Sequence, residues 1–153
     1  MKIPKRVMFV AFCIVCLISS TACIFSSAGN SDDSRVTETF ELQAVDGWTG
    51  TGIRINPGDR VIITYLSGAW SPWSGGAYDA IGSGGDPNCT CNVVAGISHA
   101  ALIGRVGQGQ IFLVGRSFDM HIGESGELFL GINDSQPADN SGSIRVLVEI
   151  EAD

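Results

Sequence analysis

The run Ser143–Glu151 alternates without a break. Ile144, Val146, Val148 and Ile150 fall on one side, and Ser143, Arg145, Leu147, Glu149 and Glu151 on the other. A period of two describes a strand with one buried face, and a one-residue slip would turn the charges inward. Six further segments read as strands: Thr37–Gln43 around Phe40 and Leu42, Gly52–Ile55, the β-branched and aromatic Arg60–Leu66, Leu102–Val106, Ile111–Val114 and Glu127–Ile132. No stretch sustains a helical period. Pro57-Gly58 supplies a turn pair, and the 20 glycines fall mainly between the runs, where turns need them. The expectation is an all-β fold, a jelly-roll-like β-sandwich of about seven to eight mostly antiparallel strands.

The first residues read as a targeting segment. Lys2, Lys5 and Arg6 form a basic region ahead of the apolar Val7–Ile18, which is shorter than the ~20 residues a spanning helix needs. Ser19-Ser-Thr-Ala-Cys23 then resembles a bacterial lipobox, with Ser20 where leucine is usual. Residues 1–22 are therefore expected to be a lipoprotein signal peptide, and Cys23 the lipidation site, with acyl chains (palmitate among them) holding the protein to a membrane. An ordinary secretory leader cleaved nearby is the alternative. Residues 23–35 are polar and aperiodic and read as a flexible tether, leaving residues 36–153 as one domain. The expected location is the bacterial cell envelope, at the outer membrane if the host is Gram-negative.

Charge narrows the partners. Nine basic residues less the three of the leader leave six arginines against sixteen acids, a formal charge of −10. Such a surface repels nucleic acid and anionic lipid and suits divalent cations and neutral ligands. Of five cysteines, Cys13 and Cys16 belong to the leader and Cys23 to the anchor. Cys89 and Cys91 remain, as a tight disulfide in an oxidising compartment or as reduced thiols. No histidine pair at zinc spacing accompanies them.

Two loops concentrate polar chemistry. Between the last two strands stand Asn133, Asp134, Ser135, Gln136, Asp139, Asn140 and Ser141. Calcium takes six to eight oxygens, often carboxylates and amides from one short loop, so Asp134, Asp139 and Asn140 are candidate ligands. A solvated hairpin capped by Asx turns is the plain alternative. The second loop, Trp70–Cys91, is a long glycine-rich excursion holding Trp70, Trp73 and Tyr78. Loops beyond ~12–15 residues in compact domains are usually functional or disordered, and aromatics argue against disorder. Trp70 ends a strand and is assigned to the core.

The order of several motifs resembles the calcium-dependent galactose-binding lectins of the PA-IL type, which have a galactose-binding-domain-like fold. The motifs are Ile55-Asn-Pro-Gly-Asp59, Ser67-Gly-Ala-Trp70, Ala101-Leu-Ile-Gly-Arg-Val-Gly107, Phe112-Leu-Val-Gly115, and Asn133-Asp134 followed by Asp139-Asn-Ser-Gly142. The resemblance covers roughly Phe40 to Ile150. It implies that Asp134 serves both ion and sugar, that Asp139 and Asn140 hold the ion, and that the main-chain carbonyl of Trp73 joins them. It also implies a sugar pocket shaped by Trp73, Tyr78, Asp79, Asp86 and Pro87. The interval from Asp134 to Asn140 is two residues shorter than in the galactose lectin, and Asp139 stands in place of an asparagine. Of the family's histidine-proline sugar grip only Pro87 survives, so galactose itself is not carried over.

Enzymatic signatures are lacking. His99 and His121 are the only histidines, and Ser125 lies in no Gly-x-Ser-x-Gly elbow. The chain is accordingly read as a non-enzymatic, surface-tethered carbohydrate-binding lipoprotein with calcium as cofactor. Its alternative is a structural or protein-interaction envelope lipoprotein with the same fold and no sugar binding.

Overall fold

The computed structural model describes residues 35–153. The expected leader of residues 1–22, the expected lipidation site Cys23 and the expected tether ahead of Arg35 lie outside the described residues. Eight strands follow in order: β1 (Arg35–Gln43), β2 (Trp48–Ile55), β3 (Arg60–Ser71), β4 (Leu102–Val106), β5 (Phe112–Leu113), β6 (Ser117–His121), β7 (Gly126–Ile132) and β8 (Ser141–Glu151). They form two four-stranded sheets, ordered β1-β8-β3-β6 and β2-β7-β4-β5, in which every pairing is antiparallel. The chain thus passes repeatedly from one sheet to the other, as in an eight-stranded jelly roll.

The alternation read in β8 is the alternation of the structure. Ile144, Val146, Val148 and Ile150 are all buried, between β1 on one side and β3 on the other. Facing them across the sandwich are Leu102, Val106, Leu128 and Leu130 of the second sheet. Outside that sheet, the Arg105 guanidinium sits 4.9 Å from both the Trp48 and Phe129 ring centroids, covering two aromatic faces with one cation.

β3 runs five residues past the end expected from its composition, and the cause is a bulge. Its register against β8 shifts between Tyr65 and Ser67. Before the bulge, odd positions such as Val61 and Ile63 face the core; after it, the even position Trp70 does. The extra residue therefore reverses which parity points inward. Glycine is required on both sides of this distorted pair. At Gly68 (φ 98°) a Cβ would lie 2.4 Å from the Ser143 carbonyl oxygen, and at Gly142 (φ 80°) 2.5 Å from that of Ala69. The bulge carries Trp70 into the core and delivers the next residues to the end of the sandwich.

β6 was not expected from sequence. Only Phe118 of its five residues is buried, because β6 is an edge strand paired to β3 alone. Its Asp119 is forked by Arg60, at 2.7 Å from Nε and 2.8 Å from Nη2, while Arg60 Nη1 reaches Glu151 at 2.9 Å. The Arg60 fork holds the Asp119 carboxyl below its ordinary value. Arg116, and then the Ile81 N–H, do the same for Asp79. A depressed folded-state pKa stabilises the fold above the unfolded value of about 4, and that contribution is lost as pH falls through the depressed value. The urea midpoint should therefore drop on acidification below about pH 4. The drop should be shallower in Asp79→Asn with Asp119→Asn, measured against the parent at each pH. Both pairs are exposed, so the difference is expected to be small.

Candidate functional site

The segment between Ser71 and Leu102 is held by amides rather than by a core of its own. Trp70 and Tyr78 exchange backbone hydrogen bonds at 2.9 and 2.8 Å, Leu102 N–H donates to the Ala80 carbonyl at 2.9 Å, and Ser83 N–H to that of His99 at 2.8 Å. Asn92 Nδ2 then donates to the carbonyls of Pro87, Asp86 and Ile97 at 3.0, 3.3 and 3.4 Å. Asn133, which follows β7 and is 0% exposed, donates to those of Ile97, Ser98 and Val94 at 3.0–3.2 Å and accepts from the Val94 N–H at 3.0 Å. Two side-chain amides thus replace the sheet ladder for residues 86–98. This loop and the β7–β8 connection become one unit, joined again where Ser135 N–H donates to the Cys91 carbonyl at 2.8 Å.

A cavity of about 280 Å³ opens between them, lined by Pro72, Trp73, Cys91, His99, Asp134, Gln136 and Asp139. One wall is aromatic. The Trp73 and His99 rings are nearly parallel, 5° apart in plane and 5.6 Å between centroids, and Tyr78 flanks Trp73 from another side at 5.6 Å. Trp73 is 39% exposed, so a large apolar ring is kept at the surface beside polar groups. The other wall is acidic. Asp134 is 4% exposed, and its Oδ1 accepts the Gln136 N–H at 2.9 Å. Among the described residues neither Asp134 nor Asp139 has a salt-bridge partner. A carboxylate removed from water without a cation is costly unless the site supplies one.

Asn140 adds a second unmet demand. Its Nδ2 donates to the Ala44 carbonyl at 3.3 Å, while its Oδ1 is buried with no hydrogen-bond partner. Buried amide oxygens are normally paired, and an orphan calls for an absent partner. Among the described residues no three His, Cys, Asp or Glu side chains converge as a ready-made metal set. A hard cation here would therefore draw on amide and main-chain oxygens as well as carboxylates, which is calcium's habit. On this donor chemistry the residues fit calcium.

The other residues expected at the site are placed as follows. The Trp73 carbonyl accepts the Ser71 hydroxyl, which also receives the Gly76 N–H. Asp79 is engaged by Arg116 and the Ile81 N–H, and does not line the cavity. Asp86 accepts the Asn88 N–H at 2.9 Å and Pro87 offers its carbonyl to Asn92 and Gly96; both are exposed and neither lines the cavity. His99, given no role in the sequence reading, is part of the aromatic wall. Its spacing from Trp73 carries no periodic signal, so only the folded loop brings the two rings together.

A larger cavity, of about 350 Å³, lies between the edge strands β5 and β6 and includes Phe112, Phe118, Met120, His121 and Glu124. Size favours it, but none of its charged or polar residues is buried. His121 is in register with Arg60, at the end of β3 opposite Ser71. The smaller cavity holds the buried acid and the exposed aromatic, and is the better candidate; Asn140 follows its Asp139 in sequence but does not itself line it.

No protein-family model matches the chain, and no curated protein matches it. Among solved structures it is similar to the one described as "EclA N-terminal domain; PllA-like lectin", with a TM-score of 0.60 and 23% identity over 74% of this chain and 95% of that one. The likeness is one of fold. The chain is an all-β sandwich of the kind that neighbour has.

Proposed function

We propose that the module binds carbohydrate through a calcium ion at the cavity between residues 72–101 and the β7–β8 connection. Supporting this reading is the juxtaposition, in one cavity, of an uncompensated buried carboxylate, Asp134, and the exposed Trp73 ring. Asp134, Asp139, the orphan Oδ1 of Asn140 and the Trp73 carbonyl would hold the ion. Bound calcium supplies a Lewis-acidic centre for neighbouring sugar hydroxyls. The chain's own groups do the rest: Asp134 accepts a hydroxyl hydrogen bond, Gln136 offers an amide at the rim, and the Trp73–His99 wall packs on the apolar C–H face of a sugar ring. The lectin-like fold of the neighbour supports carbohydrate as the ligand class. Cys23 would anchor the module to a bacterial envelope membrane, at the outer membrane in a Gram-negative host.

The test is a calorimetric calcium titration of the purified protein, alone and with galactose or a mixed glycan panel. Saturable binding near ~10⁻⁴–10⁻³ M is expected, the range of weak extracellular sites. Asp134→Asn should weaken it by at least about tenfold, or ~1.4 kcal/mol. Calcium binding without any glycan would reduce the reading to a metal-stabilised scaffold. Binding of neither would leave a structural envelope lipoprotein.

A further inference from the structure

Cys89 and Cys91 form a disulfide, and Cys91 lines the same cavity as Asp134 and Asp139. We propose that this bond is a thiol-exchange site whose opening loosens the calcium- and sugar-binding cavity; the second half rests on the calcium reading above.

A crosslink spanning only Cys89, Thr90 and Cys91 removes little chain entropy from the unfolded state, since that effect grows with loop length. The sandwich does not depend on it. Its position matters more. The Cys91 carbonyl receives the Ser135 N–H at 2.8 Å, so the small ring is hydrogen-bonded to the residue next to Asp134. Thr90 is exposed and both cysteines are partly exposed, which gives a soluble thiol access.

The chemistry of the leaving sulfur is set by two neighbours. Asn92 spends its NH₂ on three main-chain carbonyls, which fixes its amide orientation and turns Oδ1 toward His99 Nδ1 at 2.9 Å. An amide oxygen only accepts, so Nδ1 carries the hydrogen. Cys91 Sγ lies 3.5 Å from that same nitrogen. A thiolate released at Cys91 therefore lies within reach of that N–H and would share it with Asn92 Oδ1. The Cys91 N–H, 3.1 Å from Cys89 Sγ, is a peptide donor within the same small ring and favours the opposite leaving group, so the site of attachment decides which donor directs exchange.

A dithiol's thiolate attacks Cys89 Sγ; a new S–S bond forms there and the Cys89–Cys91 bond breaks, its electron pair leaving on Cys91 Sγ. The dithiol's second thiol loses its proton and attacks the mixed disulfide, closing a cyclic disulfide and releasing Cys89. The protein gains two electrons and two protons, and the dithiol loses them.

Two measurements on the purified protein test this. In the first, the native protein is treated with glutathione, quenched with an alkylating agent and mapped by mass spectrometry. The mixed disulfide should sit on Cys89 with the alkyl group on Cys91, and His99→Phe, which keeps a ring against Trp73, should slow exchange about tenfold. Attachment mainly at Cys91, or exchange only in denaturant, overturns the site. In the second, calcium is titrated before and after reduction by dithiothreitol, with free thiols counted. Reduction should weaken calcium binding about tenfold, and a protein carrying both Cys89→Ser and Cys91→Ser should not respond to the dithiol. Equal affinity in the two states overturns the coupling alone. Absence of calcium binding in both states overturns the coupling together with the calcium reading.

Discussion

Asn133→Ala is expected to detach residues 86–98 from the sandwich and abolish ligand binding while the two sheets stay folded. Asn133 is fully buried, and its amide makes four hydrogen bonds, all to the main chain of residues 94–98. Alanine removes them together and leaves the carbonyls of Val94, Ile97 and Ser98 without that donor. Each unsatisfied buried polar group costs ~1–3 kcal/mol, discounted here because the loop can relax toward water, so a total of about 3 kcal/mol is reasonable. The loss should be local. Hydrogen exchange should speed up at the Gly96 and Ser83 amides, both bonded within the loop, while Val146 and Val148 in β8 remain protected. Limited proteolysis should cut first between residues 86 and 98. Uniform acceleration throughout β8 would show that the loop and the sandwich unfold as one unit, and would refute the assignment.

Trp70→Ala should cost more, and globally. Trp70 is the largest fully buried side chain and is 1% exposed. Large aromatic-to-alanine changes in cores cost ~3–5 kcal/mol through lost burial and the cavity left behind. For a domain near this size each kcal/mol moves the melting temperature by roughly 3–5 °C, so a fall of about 10–20 °C is expected. A second loss accompanies it, because Trp70 Nε1 donates to the Ala100 carbonyl at 2.9 Å. Ala100 is the only non-glycine residue with positive φ among the described residues, at 61°, and it follows His99 directly. Trp70→Phe separates the two effects. It keeps most of the packing and removes the donor, and should cost about 1–3 kcal/mol, mainly for the unpaired carbonyl. A melting temperature unchanged in Trp70→Ala would contradict the placement of this ring.

The contrast between these residues marks what a sequence can disclose. Ile144, Val146, Val148 and Ile150 announce their burial because a strand's period is two and one face is apolar. β3 announces only its first half: the bulge between Tyr65 and Ser67 breaks the period, so the pattern stops at Leu66 although the strand reaches Ser71. β6 is silent because an edge strand with one buried residue has no alternation to show. In the candidate site, Asp134, Asp139 and Asn140 are close in sequence and chemically alike, hence legible as a group. His99, Asn92 and Asn133 are not. Their work consists of single hydrogen bonds and one ring stack made across the folded loop, and an asparagine that pegs a loop looks like any other asparagine. The same limit applies to Asp79, whose partner Arg116 lies 37 residues away.

The register of the first sheet sets how this module carries load. Arg35, where the described chain enters β1, is in register with Glu151, and Glu151 with Arg60; Ser141 and Ser71 pair at the other end, beside the cavity. The entry point and the cavity therefore stand roughly 30 Å apart along the strands, at ~3.3 Å per residue. A pull between a bound ligand and the chain ahead of Arg35 runs lengthwise through β1 and β8. Their continuous register, from Arg35 opposite Glu151 to Gln43 opposite Ser143, would have to yield in shear, many hydrogen bonds at once, rather than peel open one pair at a time. Under tension, a ligand held weakly at that end, as proposed, should be released before the fold opens.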